Sequence, residues 1–234
     1  MLNRALRMKI IETFCRSALA LYIVIVCALL SLYIAVSLRV PEMSTTTRRA
    51  RGSDELDGRC RAAASHLSSI GVNFLAIDFD QTMIDVHTGG RWKESSTELA
   101  KHLRPVFLSL LPAASDRNIR IAIVTFSGQT SAIREVLEIA FPGLSETIPI
   151  RGNDMTWQYE GNGMRLGKQQ HMASAVEELL RKPPGTGIEI TKATTLLIDD
   201  DPRNIRKAFK DRTRAVWFDP RDPNRLPDDI LGLI

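Results

Sequence analysis

Apolar residues in this chain fall into two kinds of pattern. Some form short unbroken runs of about four or five residues, which read as buried strands; others recur every three or four residues, which reads as helices with one buried face. Asn73–Ile77 is the first run, bounded upstream by Gly71, and Ile121–Thr125 is the second. A third strand is predicted over Ser145–Arg151, a fourth over Thr194–Asp200 and a fifth over Ala215–Phe218. Ahead of the first strand, Leu56, Cys60, Ala63, Ala64, Leu67 and Ile70 keep helical spacing, with Ser53 or Asp54 as N-cap and Gly71 as stop. A helical region from Ser95 to Ala114, interrupted by Pro105, turns Leu99, Leu103, Val106, Leu108 and Leu111 inward. Further helices follow over Thr130–Ala140, after Lys168 (Met172, Val176, Leu179 and Leu180 inward) and after Asp201-Pro202 (Ile205, Ala208 and Phe209 inward). Strands alternating with helices predict an α/β domain with a mainly parallel five-stranded sheet.

One apolar run is of another kind. Residues 17–38 form 22 positions without a charge, bracketed by Arg16 and Arg39. At 1.5 Å per residue this spans a hydrocarbon core of about 30 Å, so a single transmembrane helix is expected there. Residues 1–16 make a basic N-terminal flank, residues 39–53 a polar, basic linker, and residues 54–234 the globular domain. Arg4, Arg7, Lys9 and Arg16 on one side balance Arg39, Arg48, Arg49 and Arg51 on the other, so the flanking charges do not set orientation. No Asn-x-Ser/Thr sequon occurs, which favours a cytosolic domain, and a start at Met43 would leave a soluble cytoplasmic protein.

Charge adds a second constraint. The net charge is +4, with 9 Lys/Arg against 5 Asp/Glu in residues 1–60 and 22 against 22 thereafter, so the domain has no electrostatic footprint for nucleic acid. Three cysteines, Cys15, Cys27 and Cys60, imply no disulfide framework.

The chemistry lies where the strands end. The first strand runs into Asp78 and Asp80, and alternate positions of an extended chain share a face, so both carboxylates can meet at one site beyond the sheet edge. On this stretch alone, a polar turn capped by Asp78 explains the pattern equally well. The fourth strand repeats it with Asp199, Asp200 and Asp201, and crowded carboxylates call for a cation. The second strand ends on Thr125, followed by Ser127 and a helix N-terminus suited to a phosphoryl oxygen. Lys168 opens a helix, where a cation opposes the dipole, so its placement is easier to explain by function than as a solvated surface lysine, the other reading of the position. Asp201 reads as an N-cap before Pro202.

Asp-x-Asp, a strand-terminal Thr, a helix-opening Lys and an Asp-Asp pair, in that order, resemble the four motifs of the haloacid dehalogenase-like (HAD) phosphatase superfamily over residues 72–220. The resemblance implies a Rossmann-like three-layer sandwich and a magnesium-dependent phosphomonoester hydrolase. In that reading Asp78 is the nucleophile and Asp80 the general acid and base. Thr125, with Ser127 as fallback, and Lys168 contact the phosphoryl group, and Mg²⁺ is held by Asp78, the Asp80 carbonyl, Asp199 and Asp200. Where family members usually carry a small residue, this chain has Gln81.

Only 14 residues separate Asp80 from Ser95, and the 42 between Thr125 and Lys168 are used by a helix, a strand and one hairpin. No cap domain is expected, which suits a phosphoprotein or another large substrate, as in the small magnesium-dependent and protein-serine phosphatases. A hairpin flap around Thr88-Gly89-Gly90 would bring His87, Arg91 and Trp92 near substrate, although Trp92 as packing and His87 as surface explain those residues too. Trp157 and Tyr159 offer the remaining partial cover. A catalytically quiet membrane-tethered scaffold and a small-molecule phosphatase or phosphotransferase stay open as alternatives.

Overall fold

The computed structural model describes residues 47–158, 166–181 and 189–234, with side chains from Ser53 onward. The apolar segment 17–38 and Met43 lie outside the described residues, and among the described residues no helix is long and apolar enough to cross a membrane.

The fold is a Rossmann-like α/β arrangement. Its elements are α1 (Thr47–Ser69), β1 (Phe74–Ile77), α2 (Ser96–Ala100), α3 (Pro105–Ser115), β2 (Arg120–Val124), α4 (Thr130–Ala140), β3 (Ile150–Arg151), α5 (Gln169–Arg181), β4 (Thr195–Asp199), α6 (Pro202–Lys210), β5 (Arg214–Trp217) and α7 (Leu226–Leu231). The five strands are parallel, in the order β3-β2-β1-β4-β5. Ile77 pairs with Ile123 on one side and Ile198 on the other, so β1 is the central strand. From β1 the chain first builds outward through β2 and β3, then returns to add β4 and β5. The β1–β4 junction is therefore the switch point, outside whose carboxyl ends ligands bind in open α/β sheets.

Side chains alternate across this sheet into two cores. Leu75, Ile77, Ile121, Ile123, Leu196 and Ile198 pack under Leu56, Cys60, Leu67, Phe107, Leu110 and Ile133. On the other face Phe74, Ala76, Ala122, Val124 and Leu197 pack under Met172, Ala175, Ile205 and Ala208. Cys60 belongs to the first core, where burial pushes its thiol up to about 12 and leaves it inert.

Several elements depart from the sequence reading. Helix α1 starts at Thr47, so the helix reaches into the segment read as linker. The Ser95–Ala114 region is two helices: Ser95 caps α2 by accepting from Glu98 N, and Pro105 takes the first turn of α3. The restart shifts the helical phase, so Leu108 is exposed while Phe107 and Leu110 turn inward. Leu180 and Phe209 are exposed as well, each about 100° past the buried stripe of its helix. The third strand shrinks to Ile150–Arg151, since Ser145–Thr147 coils into a 3₁₀ turn. Around Gly89 and Gly90 the chain makes a turn without paired strands, in place of the expected hairpin.

Candidate active site

The strand ends bring the sequence-predicted polar residues to one cleft of about 880 Å³, lined by Asp78, Asp80, Thr125, Ser127, Lys168, Asp199 and Asp200 among others. Asp78 follows β1 and is nearly buried, with its backbone N–H donating to Ile198 O at 2.9 Å. Lys168 reaches it from the start of α5. Its Nζ donates to Asp78 Oδ1 at 2.6 Å and to Val124 O at 2.8 Å, and lies 4.1 Å from the centre of the Phe126 ring. The Lys168 carbonyl accepts from Met172 N, which makes Lys168 the N-cap of α5. Among the described residues only Oδ1 of the Asp78 carboxylate is hydrogen-bonded.

Burial pushes the Asp78 carboxyl up to about 6 against the opposing pull of Lys168. Burial, with the Asp78 charge beside it, pushes Asp199 up to about 8. Burial raises Asp200 as well. Asp199 accepts from Asn204 Nδ2 at both oxygens, 3.1 and 2.9 Å, and from Asp201 N at 2.8 Å. Asp200 and Thr82 bond reciprocally at 3.1 Å: Thr82 Oγ1 donates to the Asp200 carboxylate and accepts from the Asp200 N–H. Asp201 caps α6 by accepting from Arg203 N at 2.8 Å, the role read from the sequence. Among the described residues no three acidic, His or Cys side chains converge tightly enough to cage a cation by themselves.

Asp80 is held from the flap side. Thr88 Oγ1 donates to its carboxylate at 2.9 Å, Thr88 N donates at 3.1 Å, and His87 Nδ1 lies 3.3 Å away. Gln129, at the start of α4, bridges the same flap, accepting from Trp92 N and donating to Thr88 Oγ1. Gln81 has φ +60°, a left-handed backbone that costs most residues about 1–2 kcal/mol and glycine almost nothing. That explains why a small residue suits the position. The turn is fixed by Gln81 N donating to Val86 O and by Arg104 donating to Gln81 O.

At the end of β2, Thr125 Oγ1 accepts from Ser127 N and Ser127 Oγ accepts from Gln129 N, so both hydroxyls are fixed by the turn into α4. Gly152 lets β3 close against this turn, since a Cβ there would lie 2.4 Å from Ser127 O.

The flap residues separate. His87 lines the cleft beside Asp80, whereas Trp92 donates to Ser95 O and packs edge-on against His102, and Arg91 is exposed away from the cleft lining. Trp157 donates to Gly152 O, packs 4.8 Å from the His171 ring and lines a separate pocket beside Arg151 and Glu178, so it does not cover the cleft. Tyr159 lies outside the described residues. Thr82, Thr88, Gln129 and Asn204 were not read from the sequence; Asn204 alone left a trace there, a polar residue on the apolar face of its helix.

No protein-family model and no curated protein matches the chain. Two solved structures are similar at 16% identity. One is an uncharacterized protein from Corynebacterium glutamicum, covering 70% of this chain and 98% of its own at a TM-score of 0.42. The other is the HAD domain of the effector protein Lem4 from Legionella pneumophila, an inactive mutant, covering 64% of this chain and 86% of its own at a TM-score of 0.33.

Proposed function

We propose that this chain is a magnesium-dependent phosphomonoester hydrolase of the HAD type, working through an aspartyl-phosphate on Asp78 and open to a phosphoprotein substrate. The observation that carries the reading is the 2.6 Å contact of Lys168 with Asp78 in a cleft shared by Asp80, Thr125, Asp199 and Asp200. A buried lysine beside a buried carboxylate lets an anionic nucleophile approach an anionic substrate.

One Asp78 oxygen attacks phosphorus, and the bond from phosphorus to the leaving oxygen breaks as Asp80 gives that oxygen its proton. Asp80 then takes a proton from water as the water oxygen attacks the aspartyl-phosphate, releasing phosphate and restoring Asp78. Thr125 and Lys168 bind phosphoryl oxygens throughout, with Ser127 the alternative hydroxyl.

The donor set fits a hard cation. Its ligands would be Asp78, the Asp80 backbone carbonyl, Asp199 and Asp200, all oxygen donors, and a cation there would offset the burial that raises the Asp78, Asp199 and Asp200 carboxyls. Mg²⁺ commonly keeps several waters and takes only one or two carboxylates, so a ready-made protein cage is not required. Bound there, it would supply charge neutralisation for the transferring phosphoryl group.

Hydrolysis of an aryl phosphate by the full chain tests this. Turnover that requires Mg²⁺ and falls by at least about 10³-fold in Asp78→Asn and about 10²-fold in Asp80→Asn is expected. A folded wild type without turnover on aryl phosphate or phosphopeptides overturns it.

A further inference from the structure

One wall of the cleft is basic and takes no part in the chemistry above. Arg203, Arg206, Lys207 and Lys210 line it, and all four sit on α6. Their spacing of three, four and seven places them on one face of that helix. The opposite face is apolar, with Ile205 and Ala208 buried in the second core. Helix α6 cannot roll this face away from the cleft. Asp201 caps its first turn, and buried Asn204 ties it to Asp199.

Basic residues in a last helical turn favour the helix dipole, which accounts for Lys207 and Lys210 by itself. It does not account for Arg203 and Arg206, which stand nearer the N-terminus. Arg203 pairs with Asp201, whereas Arg206 and Lys210 make no ion pair among the described residues. The stem of Lys207 lies against Gly167, where a Cβ would be 2.9 Å from Lys207 Cδ, so the basic row passes beside the residue that precedes Lys168.

The carboxylates lining this cleft, Asp78, Asp80, Asp199, Asp200 and Asp201, are gathered at the strand ends. The cleft is therefore polarised, with acids around the reacting centre and a basic row leading away from it, of which Arg206 and Lys210 make no ion pair among the described residues. From Arg203 to Lys210 the row runs about 10 Å, at 1.5 Å per residue. An extended peptide covers that length in about three residues. A second phosphate on a small substrate would use only one end of the row. A flat lipid surface would not enter the cleft that the row shares with Asp78.

We propose that the α6 face of Arg203, Arg206, Lys207 and Lys210 is a docking track for acidic residues next to the phosphorylated residue of a protein substrate. The track makes them specificity-determining residues: they hold the segment beside the scissile phosphate and leave bond breaking to Asp78 and Asp80. This inference rests on the phosphatase reading for its biological meaning, but the track itself can be measured without turnover.

The test uses the full-length chain with two phosphopeptides that differ only in three flanking residues, Asp/Glu in one and Ala in the other. Wild type is expected to prefer the acidic peptide by about tenfold in kcat/KM at low salt, with the preference fading as salt is raised. The preference ratio should fall to about one in Arg206→Ala/Lys210→Ala. Arg206→Glu/Lys210→Glu should reverse it toward a peptide with Lys flanks. A wild-type ratio near one, or a ratio that both variants leave unchanged, overturns the proposal. If wild type hydrolyses no phosphoester, the phosphatase reading falls, and fluorescence anisotropy with the unphosphorylated acidic peptide reads the track alone. Binding lost in the double variants upholds it, and no binding overturns it. Variant-sensitive binding to phosphatidylserine/phosphatidylcholine vesicles without any peptide preference also overturns it, in favour of a lipid surface.

Discussion

Lys168 and Asp78, ninety positions apart in the chain, form a buried ion pair at 2.6 Å, with the lysine 1% and the aspartate 10% exposed at the side chain. Removing one partner of such a pair strands the other charge in a site that cannot solvate it, at a typical cost of about 3–5 kcal/mol. Lys168→Met should therefore lose about 10²-fold or more in turnover and a few kcal/mol of stability at neutral pH. The stability deficit should shrink below pH 6, where Asp78 takes up a proton and no longer needs the lysine. Urea denaturation at pH 5 and pH 7.5 measures the difference, and equal deficits at both values would show that the pair is not the cause.

Metal-free protein should lose stability as the pH rises. The folded carboxyls of Asp78 and Asp199, at about 6 and about 8, lie above the ordinary 3.8, so the folded state binds more protons than the unfolded chain in between. Their contribution is complete below 3.8 and is lost as the pH climbs through the folded values. Buried His171, pushed down from 6.5 to about 3, acts in the opposite sense below pH 6.5. The clean window is therefore pH 6.5 to 8.5. There Tm should fall in chelator and recover with added Mg²⁺; a flat profile in chelator would contradict the account of Asp78 and Asp199 as carboxyls raised by burial.

Thr88→Val keeps the shape of the flap but removes the hydroxyl that donates to Asp80. A general acid or base contributes about 10²–10⁴-fold, and loosening its orientation should forfeit about tenfold in kcat with little change in KM. Thr88→Ser should restore most of it. If Val behaves like wild type, the hydroxyl does not position the acid.

Asn204→Leu leaves Asp199 without its side-chain donor in a buried setting, which should cost about 1–3 kcal/mol. The Asp199 carboxyl should rise further and the Mg²⁺ concentration for half-maximal turnover should increase. Both are readable by denaturant titration and by activity against Mg²⁺, and an unchanged Mg²⁺ requirement would separate Asn204 from the metal side of the site.

What the sequence made legible is what runs along the backbone. A buried strand that empties into acids points to where its carboxylates go; on β1 alone a polar turn explained the pattern equally well, and it took the repeat at the end of β4 to bring Asp78, Asp80, Asp199 and Asp200 to one sheet edge. The cap at Asp201 follows from Pro202, and the end of α1 from Gly71, whose φ is +80°. Contacts made through space leave no such mark. Nothing in the order of residues says that Thr88 will fold back eight positions onto Asp80, or that Thr82 and Asp200 will exchange hydrogen bonds across 118. Helical phase was legible only within one helix. It held for Leu56, Cys60 and Leu67; it failed at Leu108 because Pro105 starts a new helix with a new phase, and at Leu180 and Phe209, which lie just past the buried stripes of their helices.

The central place of β1 also sets an order of assembly during synthesis. A nascent chain that ends before Thr195 already carries Asp78, Thr125 and Lys168, yet one side of Phe74–Ile77 still awaits β4, its hydrogen-bonding partner. That side is a bare, fully apolar strand edge, the kind that pairs with other chains. A ribosome stalled before the codon for Thr195, or a message cut there, would thus release a chain that displays this bare β1 edge and lacks Asp199, Asp200 and α6. What is released is then a half-built sheet with one strand edge open to aggregation.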